Sequence, residues 1–345
     1  MPSGVNVNVM IAGKEIPDDH FTSFSIDRDI FQPDTGSVVL ANQANFYSGQ
    51  TVTGDVEVLV GSTPKSIYKG QITGLEPTYS GKEKTTILLR SHNAMHQLMR
   101  KRVSKTYQNM TDQAILNQVV QNSGLTLDWK HSKTITYPHV YQHNMTDLEF
   151  LRMRAGRLGC HFWCVDKKIT CQEPDLQTTT ELELTIDPSS KGVVMTSFRP
   201  RLQSAQIVSK VTVKGWNPET KELITGTASV KKSPLGDSGA SDKSGTFGNE
   251  ETVIADQPIW AKDEADAIAA GKLSDLSLSY MTGEAEVQGS GDFELGTVIT
   301  VTVLAKPGKD PFNGKYYVMG ISHRFKSANK AYTTILRLAR DAQDS

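Results

Sequence analysis

The sequence predicts a mainly β protein in which two small β-barrel domains flank a mixed α/β insert. Apolar residues alternate with period two through residues 1–90, the spacing turns helical within 91–198, and alternation returns over 199–345. A chain of 345 residues also exceeds one ordinary domain core and fits two or three modules.

In residues 1–90 the alternating runs are Val5, Val7 and Val9, then Phe24 and Ile26, then Val56, Val58 and Val60, then Ile87 and Leu89. Turns are expected at Ala12–Lys14, Pro33–Gly36, Ser48–Gly49 and Ser80–Gly81. About six strands in so short a segment imply an antiparallel barrel or sandwich. Two helices are expected in the insert. One starts at Thr111 as N-cap, carries Ile115, Leu116, Val119 and Val120 on one face, and stops at Gly124. The other opens with the capping box Thr146-Asp147-Leu148-Glu149 and buries Leu148, Leu151, Ala155 and Leu158. In residues 199–345, strand-like runs fall at IVSKVTVKGW, Leu223–Val230, Val298–Leu304, Tyr316–Phe325 and Thr333–Leu338, with a helix over residues 261–279. Lys231–Glu250, rich in Gly, Ser, Asp and Lys, reads as a mobile loop, either solvated or in contact with a partner. The two β modules are alike enough to suggest a duplication, but no residue-level repeat is visible.

The chemistry-bearing residues form no recognisable catalytic pattern. A net charge of -1 supplies no basic field for a nucleic acid backbone, so no specific nucleic acid binding is expected. No apolar run reaches the roughly 18 residues of a membrane span, and the first residues lack the pattern of a secretory signal. The chain is therefore expected to be made in the cytoplasm with no membrane anchor. Cys160, Cys164 and Cys171 lack C-x-x-C spacing and read as small apolar residues on a strand pair. His92 and His96 have i,i+4 spacing but no nearby Glu or Cys, which favours packing over metal binding. Walker A, G-x-S-x-G and G-x-G-x-x-G motifs are missing. Carboxylates are plentiful, so a glycan-hydrolase pair stays open on composition. Met99-Arg100-Lys101-Arg102 reads as a solvated loop or rim, or as a contact to a phosphate or an acidic partner, and Trp129, Trp163, Trp216 and Trp260 as separate core anchors. No catalytic, cofactor or metal residue is assigned.

Three segments together resemble the phage late control gene D family, which includes tail hub proteins and the N-terminal part of the type VI spike protein VgrG. The first is Tyr141-Gln142-His143-Asn144-Met145-Thr146-Asp147-Leu148-Glu149-Phe150-Leu151-Arg152, followed by Gly159 and His161–Val165, with Arg152 one place earlier than the family pattern. The second is Val213-Lys214-Gly215-Trp216-Asn217-Pro218-Glu219-Thr220-Lys221-Glu222. The third runs from Asn313-Gly314-Lys315-Tyr316-Tyr317-Val318 through His323-Arg324-Phe325 to Tyr332-Thr333-Thr334. The first 90 residues share only their β character with the family.

The resemblance implies a non-enzymatic baseplate hub of a contractile injection device, whether phage tail, pyocin or extracellular injection system. Its β modules would be tube-type domains, and a homotrimer would present six barrels that join the sixfold inner tube to a threefold spike. Implied partners are the inner tube or a tube-initiator protein, a spike protein and other baseplate proteins. Alternatives are a VgrG-like type VI hub accompanying an effector and a cell-wall glycan hydrolase. VgrG continues into further barrel and needle parts, so a separate spike polypeptide, or a truncated chain, is expected here.

Overall fold

A computed structural model describes residues 6–48, 54–79, 85–203, 205, 207–217, 219–230, 232–239, 251–256, 258–303 and 310–344. The first module contains β1 (Val7–Ile11), β2 (Lys14–Glu15), β3 (Phe21–Asp29), β4 (Thr35–Ala41), β5 (Asp55–Val60), β6 (Lys65–Thr78) and β7 (Thr86–His92). The expected turn after β1 is present, with Ala12 and Gly13 both at positive φ. Its main strands hydrogen-bond in the order β1-β5-β6-β7-β4-β3. The sheet curls around one core that holds Val9, Val58, Leu40, Leu89, Ile26 and Phe24. No ladder joins β1 to β3 among the described residues, so this barrel is open along one seam.

The chain then leaves the sheet. β8 (Arg102–Thr111) leads into α1 (Asp112–Gln121), then β9 (Thr126–Lys130), β10 (Thr136–Thr146), α2 (Asp147–Arg157), β11 (His161–Val165) and β12 (Lys168–Gln172). Both expected helix starts are present. Thr111 Oγ1 accepts from the Ala114 amide at 3.2 Å, and the Thr146–Glu149 capping box is reciprocal. Gly124, at φ +70°, ends the first helix region as its sequence position implied.

Next come β13 (Thr179–Thr185), β14 (Val193–Leu202), β15 (Lys210–Asn217), β16 (Glu222–Ser229), β17 (Ser238–Gly239), β18 (Glu251–Ile254) and the third α-helix, α3 (Lys262–Leu278). β19 (Met281–Gln288), β20 (Val298–Thr302), β21 (Gly314–Lys326), β22 (Ala331–Arg340) and β23 (Ala342–Gln343) complete the fold. Here the boundary expected between residues 198 and 199 differs from the pairing. β13 and β14, counted with the insert from sequence, hydrogen-bond with β20 and β19 and close a six-stranded barrel in the order β13-β20-β21-β22-β19-β14. Conversely, Val211, Val213, Ala265, Ile268 and Leu273, counted with the last module, pack in one core with Ile115, Leu116, Leu151 and Phe162. The mixed unit is thus assembled from two separate segments. The cause is burial: α3 needs an apolar partner for its stripe, and the face offered by β15 and β16 supplies it.

The expected loop over Lys231–Glu250 differs in part as well. Leu235 is buried in the closed barrel's core, and Ser233 bonds Asp341. β17 pairs with β23. Residues 231 and 240–250 lie outside those described, as do Val5, Gly49, Ser80, Gly81, Pro218 and Leu304 among the residues read above.

The two barrels share one strand order. β5, β6, β7, β4 and β3 occupy the places of β20, β21, β22, β19 and β14 in the same directions, whereas β1 runs antiparallel to β5 and β13 parallel to β20, so the sixth strand is reversed. Over β3, β4, β6 and β7 the correspondence is residue by residue. Gln71 pairs with His92, Ile72 with Ser91 and, across a bulge, Gly74 with Arg90. Tyr317 pairs with Ala339, Val318 with Leu338 and, across a bulge at the same place, Gly320 with Arg337. Thr35-Gly36 on β4 corresponds to Thr282-Gly283 on β19. Thr22-Ser23-Phe24 on β3 corresponds to Thr196-Ser197-Phe198 on β14, again beside matching bulges. β3 connects to β4 through residues 30–34, whereas the equivalent connection from β14 to β19 is the excursion that holds β15 to α3.

Candidate assembly surface and its supporting joints

Among the described residues the barrels meet through one ladder. β3 pairs antiparallel with β21 from Asp29 opposite Gly320 to Ser23 opposite Lys326, so both barrels belong to one continuous sheet. Under the ladder, Phe325 stacks on Phe21 and Phe24 with centroids 5.5 and 5.7 Å apart. On its outer side Ser322 Oγ donates to Asp27 Oδ1 at 2.6 Å, and Arg337 pairs with Asp29. His323 is buried, 2.9 Å from the Tyr332 hydroxyl and 3.2 Å from Thr334 Oγ1 through Nδ1. Burial lowers its pKa to about 3, so this imidazole is neutral and structural.

A second joint ties the open barrel to the mixed unit. Phe31 adopts φ +86°, a conformation that non-glycine residues seldom take. Its amide donates to Phe162 O at 2.8 Å, its ring meets His161 at 4.8 Å, and its carbonyl accepts Arg152 Nη2 at 2.7 Å. Nearby, Asp34 is buried beside Arg28, 3.5 Å from its Nε. Burial outweighs that cation and raises the Asp34 carboxyl to about 6. Asp34 and Arg28 lie on the wall of a cavity of about 460 Å³ shared with Tyr68, Trp163 and Phe293.

A third joint closes the mixed unit. Arg154 Nε pairs with Asp112 Oδ1 at 2.5 Å and stacks over Tyr137 with its centroid 4.4 Å away. Arg157 pairs with buried Glu264, whose other oxygen accepts the Trp260 amide at 2.7 Å. Gly159 and Gly271 touch backbone to backbone, since a Cβ built on Gly159 falls 2.3 Å from Gly271 Cα.

These joints account for most residues that sequence reading singled out. Gln142 donates to Asp147 Oδ1 at 2.9 Å and accepts from the Tyr107 hydroxyl at 3.2 Å, which braces the start of α2. Arg102 of the basic run donates to Glu149 at 3.0 Å and to Asn144 O at 2.5 Å. His92 lies on β7 and contacts Thr73 Oγ1 at 2.8 Å, and His96 Nδ1 lies 2.8 Å from Asn93 O in a 3-10 turn. Their rings are 6.1 Å apart. Cys160, Cys164 and Cys171 are buried free thiols, and burial pushes Cys164 up to about 12. No group of three or more metal-ligating side chains occurs among the described residues. No described helix is long and apolar enough to cross a membrane.

Trp216 departs from expectation. Read as a core anchor, it is 57% exposed and sits beside exposed Leu223 on the outer face of the β15–β16 hairpin. Strand alternation explains it, because Val211 and Val213 face α3 and Trp216 shares a side with Lys214. Sequence reading also missed Phe31, Asp34 and Arg340. Only the density of turn residues around Pro33 hinted at the first two. Arg340 is fully buried and donates to Leu235 O at 2.9 Å and to Asn313 O at 2.5 Å.

Against known proteins, a family model described as Alg8 N-terminal domain matches residues 5–327. The chain belongs to that family. The Alg8 N-terminal domain description differs from the late control gene D family that the motifs resemble. No curated protein matches in sequence. Solved structures match over nearly the whole chain. A tail protein from Neisseria meningitidis MC58 superposes with TM-score 0.73 at 15% identity, covering 98% of this chain and 97% of its own. A prophage MuSo2 43 kDa tail protein from Shewanella oneidensis gives 0.70 at 14%, covering 99% and 100%. An E. coli type VI secretion component, described as similar to the T4 bacteriophage tail proteins gp27 and gp5, gives 0.63 at 14%, covering 96% and 76%. At these identities the likeness establishes the fold, which is that of phage tail proteins.

Proposed function

We propose that the chain is a structural, non-enzymatic hub of a contractile injection device, most simply a phage tail or a particle built like one. The observation that carries this reading is the pair of barrels with one strand order and matching bulges, held side by side among the described residues by the β3–β21 ladder. Three such chains bring six equivalent barrels together, which suits a part that joins a sixfold inner tube to a threefold spike. The partners are then two more copies, the inner tube or its initiator, a spike protein and other baseplate proteins. The assembled hub belongs to the particle rather than to a membrane. Structural proteins of tail devices supply the similar folds, and the recognisable sequence motifs here brace helix starts and strand joints instead of lining a reactive cleft.

Light scattering of the purified chain, alone and with the candidate spike added, tests the reading. A trimer supports it, and a persistent monomer that ignores the spike overturns it. A type VI hub is the second reading, favoured by the secretion-system component among the similar folds. Genes for a membrane complex beside this one would select it, and genes for sheath and tail fibres the phage reading. Clearing in a peptidoglycan zymogram would instead revive a hydrolase.

A further inference from the structure

Within the chain, β21 outruns its neighbour β20. β20 pairs with Gly314–Tyr317, and the overhang from Gly320 to Lys326 is covered on the same edge by β3. β6, the equivalent of β21, outruns β5 in the same way. β5 pairs with Lys65–Gln71, but no strand covers that edge of Gly74–Thr78 among the described residues. The complementary edge is open too. β14, the equivalent of β3, meets β13 at Val193 and Val194, which leaves the same edge of Arg199–Leu202 without a strand among the described residues. One molecule therefore carries both halves of the β3–β21 joint a second time, unmated and on different barrels.

We infer that a second copy of this chain supplies the missing half, so that the β6 overhang of one copy seats against β14 of the next. This rests on the reading of the chain as a ring-forming tail component. The repeat fixes which residues meet. Since β3 places Arg28 opposite Ile321, Asp27 opposite Ser322 and Ser25 opposite Arg324, the equivalents are Leu202 opposite Leu75, Arg201 opposite Glu76 and Arg199 opposite Thr78. Charge and polarity agree with that register. Exposed Arg201 meets exposed Glu76 where the internal joint has Asp27 and Ser322, and Leu202, 42% exposed, gains an apolar neighbour in half-buried Leu75. Among the described residues Glu76 pairs with Arg90 alone, and both side chains are about half exposed, which leaves room for a second cation.

Prolines set the joint's strength. Pro77 and Pro200 fall opposite each other, in the places of His323 and Ile26, and neither can donate to a ladder. The joint between copies therefore leans on side chains more than its internal counterpart does. That protects both open edges from indiscriminate strand pairing before assembly. The contact is head-to-tail, joining two different surfaces, and it closes into a ring only if each copy turns the chain by the same angle.

The test uses the full chain with Glu76→Arg, Arg201→Glu and both together, each followed by light scattering across a concentration series. Each single reversal is expected to raise the concentration for half-association by about tenfold or more, and the double reversal to recover most of it. Independently, a chain with Leu75→Cys and Leu202→Cys treated with a short bismaleimide should give cross-linked dimers and trimers, whereas either substitution alone should not. The three native thiols are buried and do not compete. Association of the unmodified chain with neither charge dependence nor a 75–202 cross-link would overturn the joint and leave the tail reading intact. No association of the unmodified chain, with or without the spike, would overturn that reading first and the joint with it.

Discussion

Asp34 shows how one side chain reports on the joint it occupies. It lies in residues 30–34, the connection that the equivalent place in the second barrel replaces with a whole excursion. Its carboxyl is raised from 3.8 to about 6, so the folded chain holds the proton more tightly than the unfolded chain does. The stability this contributes is complete below pH 3.8 and lost as pH rises past about 6. Asp34→Asn should therefore gain on the unmodified chain by of the order of 2 kcal/mol between pH 4 and pH 7 in urea titrations. A gap that stays constant with pH would show that Asp34 is not desolvated. Arg340 is the opposite case, a cation whose donors are met by two backbone carbonyls and by Asp344 at 3.0 Å. Arg340→Ala leaves those carbonyls without a donor and should cost about 3 kcal/mol, read as a lower thermal midpoint.

At the scale of elements, close helix packing and strand joints matter most. α3 approaches the end of α2 at Gly271, where an added Cβ falls 2.5 to 2.7 Å from the backbone of Leu158 and Gly159. Gly271→Ala should cost about 1–3 kcal/mol, whereas alanine at Gly156, which faces open space, should be tolerated. Equal melting midpoints for the two variants would contradict this contact. Arg152→Ala should loosen the tie to Phe31 by about 1 kcal/mol, seen as faster amide exchange at Phe31. The helices were legible because Thr111, Thr146 and Gly124 act through neighbours within a few residues. Strand partners were not. β13 and β14 pair with strands about a hundred residues later, and nothing local in Thr179–Leu202 marks that choice. The residue-level repeat between the barrels escaped for a related reason. Its surviving identities are pairs and triplets such as Thr35-Gly36 with Thr282-Gly283, and insertions of unequal length separate them. Trp216 was misread because a tryptophan in an alternating strand gives no sign of which face is covered.

For the molecule as a whole, two equivalent barrels in one chain are what a ring needs when it must present one symmetry to a tube and half of it to a spike. The internal β3–β21 joint fixes the step from one barrel to the next, and the open edges of β6 and β14 offer the same step to another copy. Contacts of that kind are partly electrostatic, so added salt should weaken self-association. The most direct test of the account is the mass of the intact chain in solution by light scattering, at low and high salt, with and without the spike. The account predicts three chains per particle, with dissociation favoured by salt. A single chain per particle under every condition would contradict it.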